Sequence, residues 1–276
     1  MDVPRAIGGV VSLFAALLAG CGLFVVPPTA HAQQQVDLEL VLAVDVSRSM
    51  DPDEQQLQRE GYIGAFLDRE IVDAIRSRVL GRIAVAYVEW AGAATQQVVV
   101  PWTVISDAAS AAAFSARLAS APIAGHRRTS ISNALTFSAA LFEHSGFSST
   151  RRVIDISGDG PNNQGPGVEA ARDAVLARGI VINGLPIVLK YGTPAGFFEI
   201  PDLDAYYEDC VIGGFGAFIV SVRAPEEFAS AIRRKMVMEI AGTAPELRPV
   251  QMMQREARTD CYVGEKRWNQ YMWDPQ

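Results

Sequence analysis

Three oxygen-bearing side chains, Asp45, Ser47 and Ser49, stand at alternate positions directly after an apolar run over residues 38–44. An Asp-x-Ser-x-Ser loop at the end of a buried strand gathers hard oxygen donors in a small volume, and hard divalent cations select such donors. Two more segments carry similar groups. Thr129 follows the loop Gly125-His126-Arg127-Arg128, and Asp159 lies in Ser157-Gly158-Asp159-Gly160 after a second apolar run. Asp155 competes with Asp159 by proximity, but it sits inside that run, two residues before the loop, so Asp159 is favoured. A turn leading into a helix cap accounts equally well for Asp45, Ser47 and Ser49 taken alone, since Asp and Ser favour both. Thr129 likewise suits a helix N-cap, and a capping residue can also ligate.

These donors meet only if the loops that bear them converge. Residues 38–44 have the length and β-branched content of a strand buried on both faces. Residues 51–79 read as helix, entered through Asp51-Pro52-Asp53-Glu54 and carrying Leu57, Ile63, Phe66, Leu67, Ile71 and Ile75 at roughly helical spacing. Strands are expected over 83–88 and 95–100; their link is too short for a crossover helix, so one of them is an antiparallel edge. Helices over 107–118 and 130–142, a strand over 152–156, a helix over 168–178 closed by Gly179 and a strand over 180–188 follow. Residues 190–214 form a less regular insert. A last strand over 217–222 and a last helix over 225–240 precede a tail of weak periodicity with Trp268, Tyr271 and Trp273. This alternation predicts an α/β fold, a doubly wound and mostly parallel sheet with helices on both faces and one antiparallel edge strand. In such a sheet the carboxyl-end loops share one crevice.

The 276 residues, 49% of them apolar, suffice for a full core, organised as one domain of roughly 200 residues. The net charge of −7, with no basic stretch to offset it, argues against nucleic acid as a partner. Arg127-Arg128 and Arg233-Arg234-Lys235 are short and read as solvated faces. Arg5, an apolar stretch over 6–26 and Ala30-His31-Ala32 compose a secretory signal over 1–32, cleaved after Ala32. In a competing reading, Leu18-Ala19-Gly20-Cys21 is a lipobox and Cys21 is lipidated, although the residues after it are apolar; an uncleaved anchor is a third. The domain then spans 36–240, with 241–276 as a C-terminal tail packed on it. Cys210 and Cys261 remain, and an even pair in an oxidising compartment suggests a disulfide tying the tail down. Two buried free thiols are the alternative, because spacing alone cannot bring them together.

The order Asp-x-Ser-x-Ser, then Gly-x-x-x-Thr-Ser-Ile-Ser-Asn-Ala-Leu, then Asp-Gly after an apolar strand, resembles the von Willebrand factor A domain over about residues 36–240. Within that superfamily the chain is similar to a bacterial exported domain-of-unknown-function subgroup (DUF1194-like). The resemblance implies a metal-ion-dependent adhesion site whose ligands carry over as Asp45, Ser47, Ser49, Thr129 and Asp159. It implies Mg2+, with Mn2+ or Ca2+ as alternatives, and a partner protein whose Asp or Glu side chain completes the shell. Neutral hydroxyl ligands leave such an ion underneutralised, which lets an acidic protein attract an acidic group. Arg48, Trp90, His126, Asn162 and Asn163 are expected on the rim that a partner would touch. Two departures stand out: the extra Gly158 before Asp159, and a second strand ending in Val88-Glu89-Trp90.

Enzymatic readings lack parts. Haloacid-dehalogenase-like phosphatases need a second Asp two residues after the first, where this chain has Ser47. A Gly-x-Ser-x-Gly elbow fails at Ser157, because Asp155 holds the first position. Beyond residue 32 the histidines are His126 and His144, and no Gly-rich phosphate loop ends in Lys-Ser/Thr. The reading is therefore an exported, non-enzymatic protein-binding module, periplasmic or anchored as a lipoprotein. A metal-dependent α/β hydrolase or phosphatase and a metal-free envelope scaffold are the alternatives.

Overall fold

A computed structural model describes residues 1, 33–190, 200–242 and 259–273. The expected signal segment, its cleavage point and Cys21 lie outside the described residues. From Gln33 the chain runs β1 (Gln34–Gln35), β2 (Glu39–Asp45), α1 (Pro52–Leu67), α2 (Arg69–Arg76), β3 (Ile83–Trp90), β4 (Gln96–Ile105), α3 (Ala108–Ser120) and α4 (Ile131–Leu141). It continues as β5 (Phe147–Ser148), β6 (Arg152–Gly158), α5 (Val168–Leu176), β7 (Val181–Pro186), α6 (Leu203–Tyr206), α7 (Phe228–Ala241) and α8 (Val263–Trp273).

Every residue of β2 and β3 is buried, as the unbroken apolar runs require. Alternation then divides each strand between two cores. Leu40, Leu42 and Val44 meet Tyr62 and Phe66 of α1, Phe114 of α3 and Ile232 and Met236 of α7. Val41 and Ala43 meet Ile131 and Leu135 of α4 and Val175 of α5 on the other face. The sheet order is β4-β3-β2-β6-β7, parallel except for the antiparallel β3–β4 pair. The chain winds outward from β2 through β3 to β4, then returns to the other side of β2 as β6. The carboxyl ends of β2 and β6 therefore flank the switch point, where an open α/β sheet leaves a crevice.

Two expected elements differ. The helix expected over 51–79 breaks at Asp68, which takes extended backbone angles (φ −76°, ψ 134°) and caps α2 by accepting the Glu70 N–H. An Asp can end one helix and start another without disturbing the apolar spacing. The strand expected over 217–222 makes only isolated bridges beside β7, Gly184 with Ile219 and Ile187 with Val222. The Asn183 side chain takes the Phe218 N–H at 2.9 Å, which interrupts a regular ladder. The start expected at Asp51 is present as a capping box with Glu54. The weakly periodic tail contains α8, and the Cys210–Cys261 disulfide ties it to the π-helical turn Tyr207–Val211 after α6.

A second polar group lies deep under α7. Asp155 of β6 faces Lys235 at 2.8 Å, and Lys235 also donates to Glu239 at 2.6 Å, all three within 1% of full burial. Glu239 accepts from Asn183 as well. Burial alone would pull the Lys235 ammonium down, but the two carboxylates outweigh it and hold it above its usual range. Removing one member of a buried ion cluster strands the others, at about 3–5 kcal/mol. Lys235→Met is expected to cost that much in urea denaturation, whereas Asp155→Asn/Lys235→Met/Glu239→Gln, which removes every charge, should recover most of the loss.

Candidate functional site

The loop after β2 is held from beneath by neutral amides. Gln55 Nε2 donates to the carbonyls of Ser47 (3.1 Å) and Met50 (3.0 Å), and Gln58 Nε2 donates to the Asp45 carbonyl at 3.1 Å. With its path fixed, the loop engages its own donors. The Ser47 N–H donates to Asp45 Oδ1 at 2.6 Å, the Ser47 and Ser49 hydroxyls lie 2.8 Å apart, and Ser49 Oγ donates to Asp159 Oδ1 at 2.7 Å. The structure thus brings Asp45, Ser47, Ser49 and Asp159 together across a separation of 110 residues between Ser49 and Asp159.

Backbone pairing joins the Thr129 loop to the same edge. His126 N–H donates to Val46 O at 3.0 Å, and Arg48 N–H donates to His126 O at 2.7 Å. Gly92 lets that loop come close, since a Cβ there would stand 2.8 Å from the Arg127 carbonyl. Thr129 is buried, and its backbone N–H donates to Asn163 Oδ1 at 3.0 Å while Asn163 N–H donates back to Thr129 O at 2.9 Å. Gly158, the extra glycine, has a steric reason. A Cβ at that position would lie 2.9 Å from both Asp45 Oδ2 and the Tyr207 hydroxyl.

The electrostatics of this edge are unbalanced. Asp45 and Asp159 are buried, and Asp45 Oδ2 and Asp159 Oδ2 have no hydrogen-bond partner among the described residues. Burial, then the charge of Asp159, drives the Asp45 carboxyl well above its usual range. Burial likewise pushes Asp159 up to about 6 against the pull of the Ser49 hydrogen bond. Lys190 is the neighbouring ammonium, but it donates to the Ser49 carbonyl at 2.7 Å and pairs with Glu54 and with Asp51 at 3.5 Å. Among the described residues no three His, Cys, Asp or Glu side chains converge. A cation here would accordingly take hydroxyl oxygens with two carboxylates, a set that suits a small hard ion retaining water. The unpartnered oxygens fit such an ion.

The expected rim divides. Arg48 and His126 are exposed, and Asn163 is half-buried. Trp90 and Asn162 are fully buried, which corrects their expected place on the rim. Trp90 pairs with Asp45 in the β2–β3 register and packs into the α4 side of the core. Asn162 joins four segments: its N–H donates to the Tyr206 hydroxyl (3.1 Å), its Nδ2 to Pro166 O (3.2 Å) and Glu265 Oε1 (2.7 Å), and its Oδ1 accepts the Ser132 N–H (3.1 Å). Sequence reasoning missed Gln55, Gln58 and Tyr207. The two glutamines had a signal, since they are polar residues at i and i+3 on the buried face of α1.

Comparison with known proteins bears on the family and the fold. The family model described as "Protein of unknown function (DUF1194)" matches residues 35–244. No curated protein matches the chain. Among solved structures, proximal thread matrix protein 1 from the mussel byssus aligns with a TM-score of 0.56 at 12% identity, over 76% of this chain and 49% of that one. The same mussel protein with a zinc-occupied MIDAS motif aligns at 0.51, 12%, 76% and 49%. A von Willebrand factor type A protein from Catenulispora acidiphila aligns at 0.51 and 15%, over 75% and 43%, and the pilus adhesin SpaC from Lactobacillus rhamnosus GG at 0.54 and 12%, over 75% and 31%. At these identities the likeness shows the fold, that of von Willebrand factor A domains, and the chain spans half or less of the length of each of these structures.

The raised carboxyls make the metal-free protein sensitive to base. Folded Asp159 keeps a proton that an ordinary Asp, near 3.8, has lost. Its stabilising contribution is full below about pH 4 and is lost as pH rises through about 6. In chelator, Asp159→Asn is expected to lose less stability than the parent between about pH 4.5 and about pH 7.5, by on the order of 2 kcal/mol. Urea denaturation at the two pH values measures the difference.

Proposed function

The chain belongs to the DUF1194 family and has the von Willebrand factor A fold, and from that premise we propose that it is an exported, cation-dependent protein-binding module. Asp45, Ser47, Ser49, Thr129 and Asp159 hold a divalent cation, Mg2+ in the first instance, with Mn2+ and Ca2+ as alternatives. The observation that carries this reading is the pair of buried carboxylate oxygens without a hydrogen-bond partner, Asp45 Oδ2 and Asp159 Oδ2. When bound, the ion supplies a positive centre with an open coordination position, which an Asp or Glu side chain of another protein can fill. The chain's own part is to orient both carboxylates through Ser47 and Ser49, and to hold the loops through Gln55, Gln58 and Asn163. Arg48 and His126 are the exposed rim that the partner meets. The zinc-occupied MIDAS motif of the mussel protein, and the shared fold with a Lactobacillus pilus adhesin, lend support.

Binding, not turnover, suits the groups present. Both serine hydroxyls are committed to each other and to Asp159, and His126 meets the site through its backbone. Ser49 Oγ does donate to a carboxylate, but Asp159 is a ligand in this reading, so its oxygens serve the ion and not a proton. The Cys210–Cys261 disulfide supports an oxidising compartment, the periplasm for a secreted chain or the membrane surface if Cys21 is lipidated. No helix among the described residues is long and apolar enough to cross a membrane.

Titration calorimetry with magnesium is the test. The parent is expected to bind one ion at neutral pH, with the heat abolished in Asp45→Asn and Asp159→Asn and retained in His126→Ala. A parent that gives no heat with magnesium, manganese or calcium returns the chain to a metal-free scaffold. Hydrolysis of phosphate or carboxylic esters by the loaded protein, lost in Asp45→Asn, would make it an enzyme instead.

A further inference from the structure

Helix α8 follows the last helix of the sheet's own winding, yet it lies on the loops of the candidate site. The Cys210–Cys261 disulfide fastens it just before its first turn. Glu265 Oε1 accepts the Asn162 Nδ2–H at 2.7 Å, three residues beyond Asp159. The Trp268 ring stacks against the Arg128 guanidinium, 3.5 Å from its centroid, next to Thr129. Gly264 brings the helix backbone onto the loop itself, because a Cβ there would overlap the Asn162 carbonyl oxygen. Only glycine permits that approach.

The loop so held is not a relaxed one. Arg128 is the only non-glycine among the described residues with positive φ, 75°, in a region that bulky side chains avoid. Its guanidinium donates to the Asn163 carbonyl at 3.2 Å and stacks on Trp268, so two contacts keep it there. The other end of the disulfide reaches the same place from below. Cys210 shares a short helical segment with Tyr206, whose hydroxyl accepts the Asn162 N–H, and with Tyr207, whose hydroxyl, like Asp45 Oδ2, faces Gly158. Asn162 is thus gripped from both sides by segments that one covalent bond joins.

We propose that α8 is a clamp that positions the cation site: Glu265 and Trp268 fix the loops bearing Asp159 and Thr129, and the Cys210–Cys261 disulfide fastens the clamp. Glu265 and Trp268 are positioning residues, which act through Asn162 and Arg128 and not on the ion. The effect on affinity rests on the cation-binding reading above; the effect on the loops does not. Loss of a group bonded directly to a metal ligand commonly weakens binding by about 10–100-fold; Glu265 and Trp268 act one contact further out, so the lower end of that range applies.

The experiment compares the oxidised parent with Glu265→Ala/Trp268→Ala, with the conservative pair Glu265→Gln/Trp268→Phe, and with Cys261→Ser. Magnesium affinity is read by calorimetry, and loop order by amide hydrogen exchange over residues 126–133 and 159–164. The alanine pair and Cys261→Ser are expected to weaken magnesium binding about tenfold or more and to speed exchange in both loops, while β2 and β3 stay protected. The conservative pair keeps an acceptor and an aromatic face and should stay near the parent. Unchanged affinity and exchange in the alanine pair would overturn the clamp, whatever Cys261→Ser does to folding. If the parent itself takes up no magnesium, the cation reading fails, and exchange alone decides: faster exchange in the two loops upholds the clamp, and unchanged exchange overturns it.

Discussion

Two carboxylates buried at neighbouring strand ends, each with one oxygen that no hydrogen bond satisfies, constrain everything around them. A buried charge without a partner is among the most costly features a fold can carry. Parallel pairing of β2 with β6 makes the encounter unavoidable, because it brings both carboxyl ends to one edge of the sheet. The surroundings orient the pair without neutralising it. Glutamine amides hold the first loop, a backbone N–H and a serine hydroxyl each take one carboxylate oxygen, and the Lys190 ammonium is shared among Ser49 O, Glu54 and Asp51. Among the described residues no cation is committed to the two free oxygens, which is where the proposed ion would sit.

Strand β6 supplies its own control. Asp155 and Asp159 are four residues apart, and burial pushes each up to about 6. Asp155 lies mid-strand under α7, where Lys235 meets it and Glu239 and Asn183 close the group. That site carries its cation within the fold. Asp159 lies past the strand end, where Ser49 reaches it and no lysine pairs with it directly. The same residue type is ion-paired inside the strand and left with an unpartnered oxygen one residue past its end, and what separates the two is depth along the sheet.

That difference explains how far the sequence could be read. Residues 38–44 and 83–88 announce buried strands because their apolar runs are local, and Asp45, Ser47 and Ser49 are legible because they follow such a run directly. Preferring Asp159 over Asp155 needed only the position of the strand end. Trp90 and Asn162 were misassigned to the rim because burial there depends on register and on remote partners: Asp45 beside Trp90, and Glu265 against Asn162. The break at Asp68 was invisible since the apolar spacing runs on through it, while the loss of a regular strand at 217–222 turns on one side-chain hydrogen bond from Asn183. Helix α8 has a weak pattern of its own because much of its order comes from contacts to loops over a hundred residues away.

Pre-organisation is the common thread. A loop that had to gather its donors as an ion arrived would lose affinity to the ordering of each side chain. Here the Ser47 N–H and the Ser49 hydroxyl already fix one oxygen of each carboxylate, which leaves the other oxygen directed by the same contacts. Neutral donors suit the proposed reading, since a lysine or arginine in their place would orient the carboxylates equally well and occupy the place of a cation. Holding Arg128 at positive φ and Asn162 at full hydrogen-bond occupancy extends the same logic one layer outward, to the loops that position Thr129 and Asp159. The rigidity lies in the supports, and the unpartnered oxygens are kept at the centre.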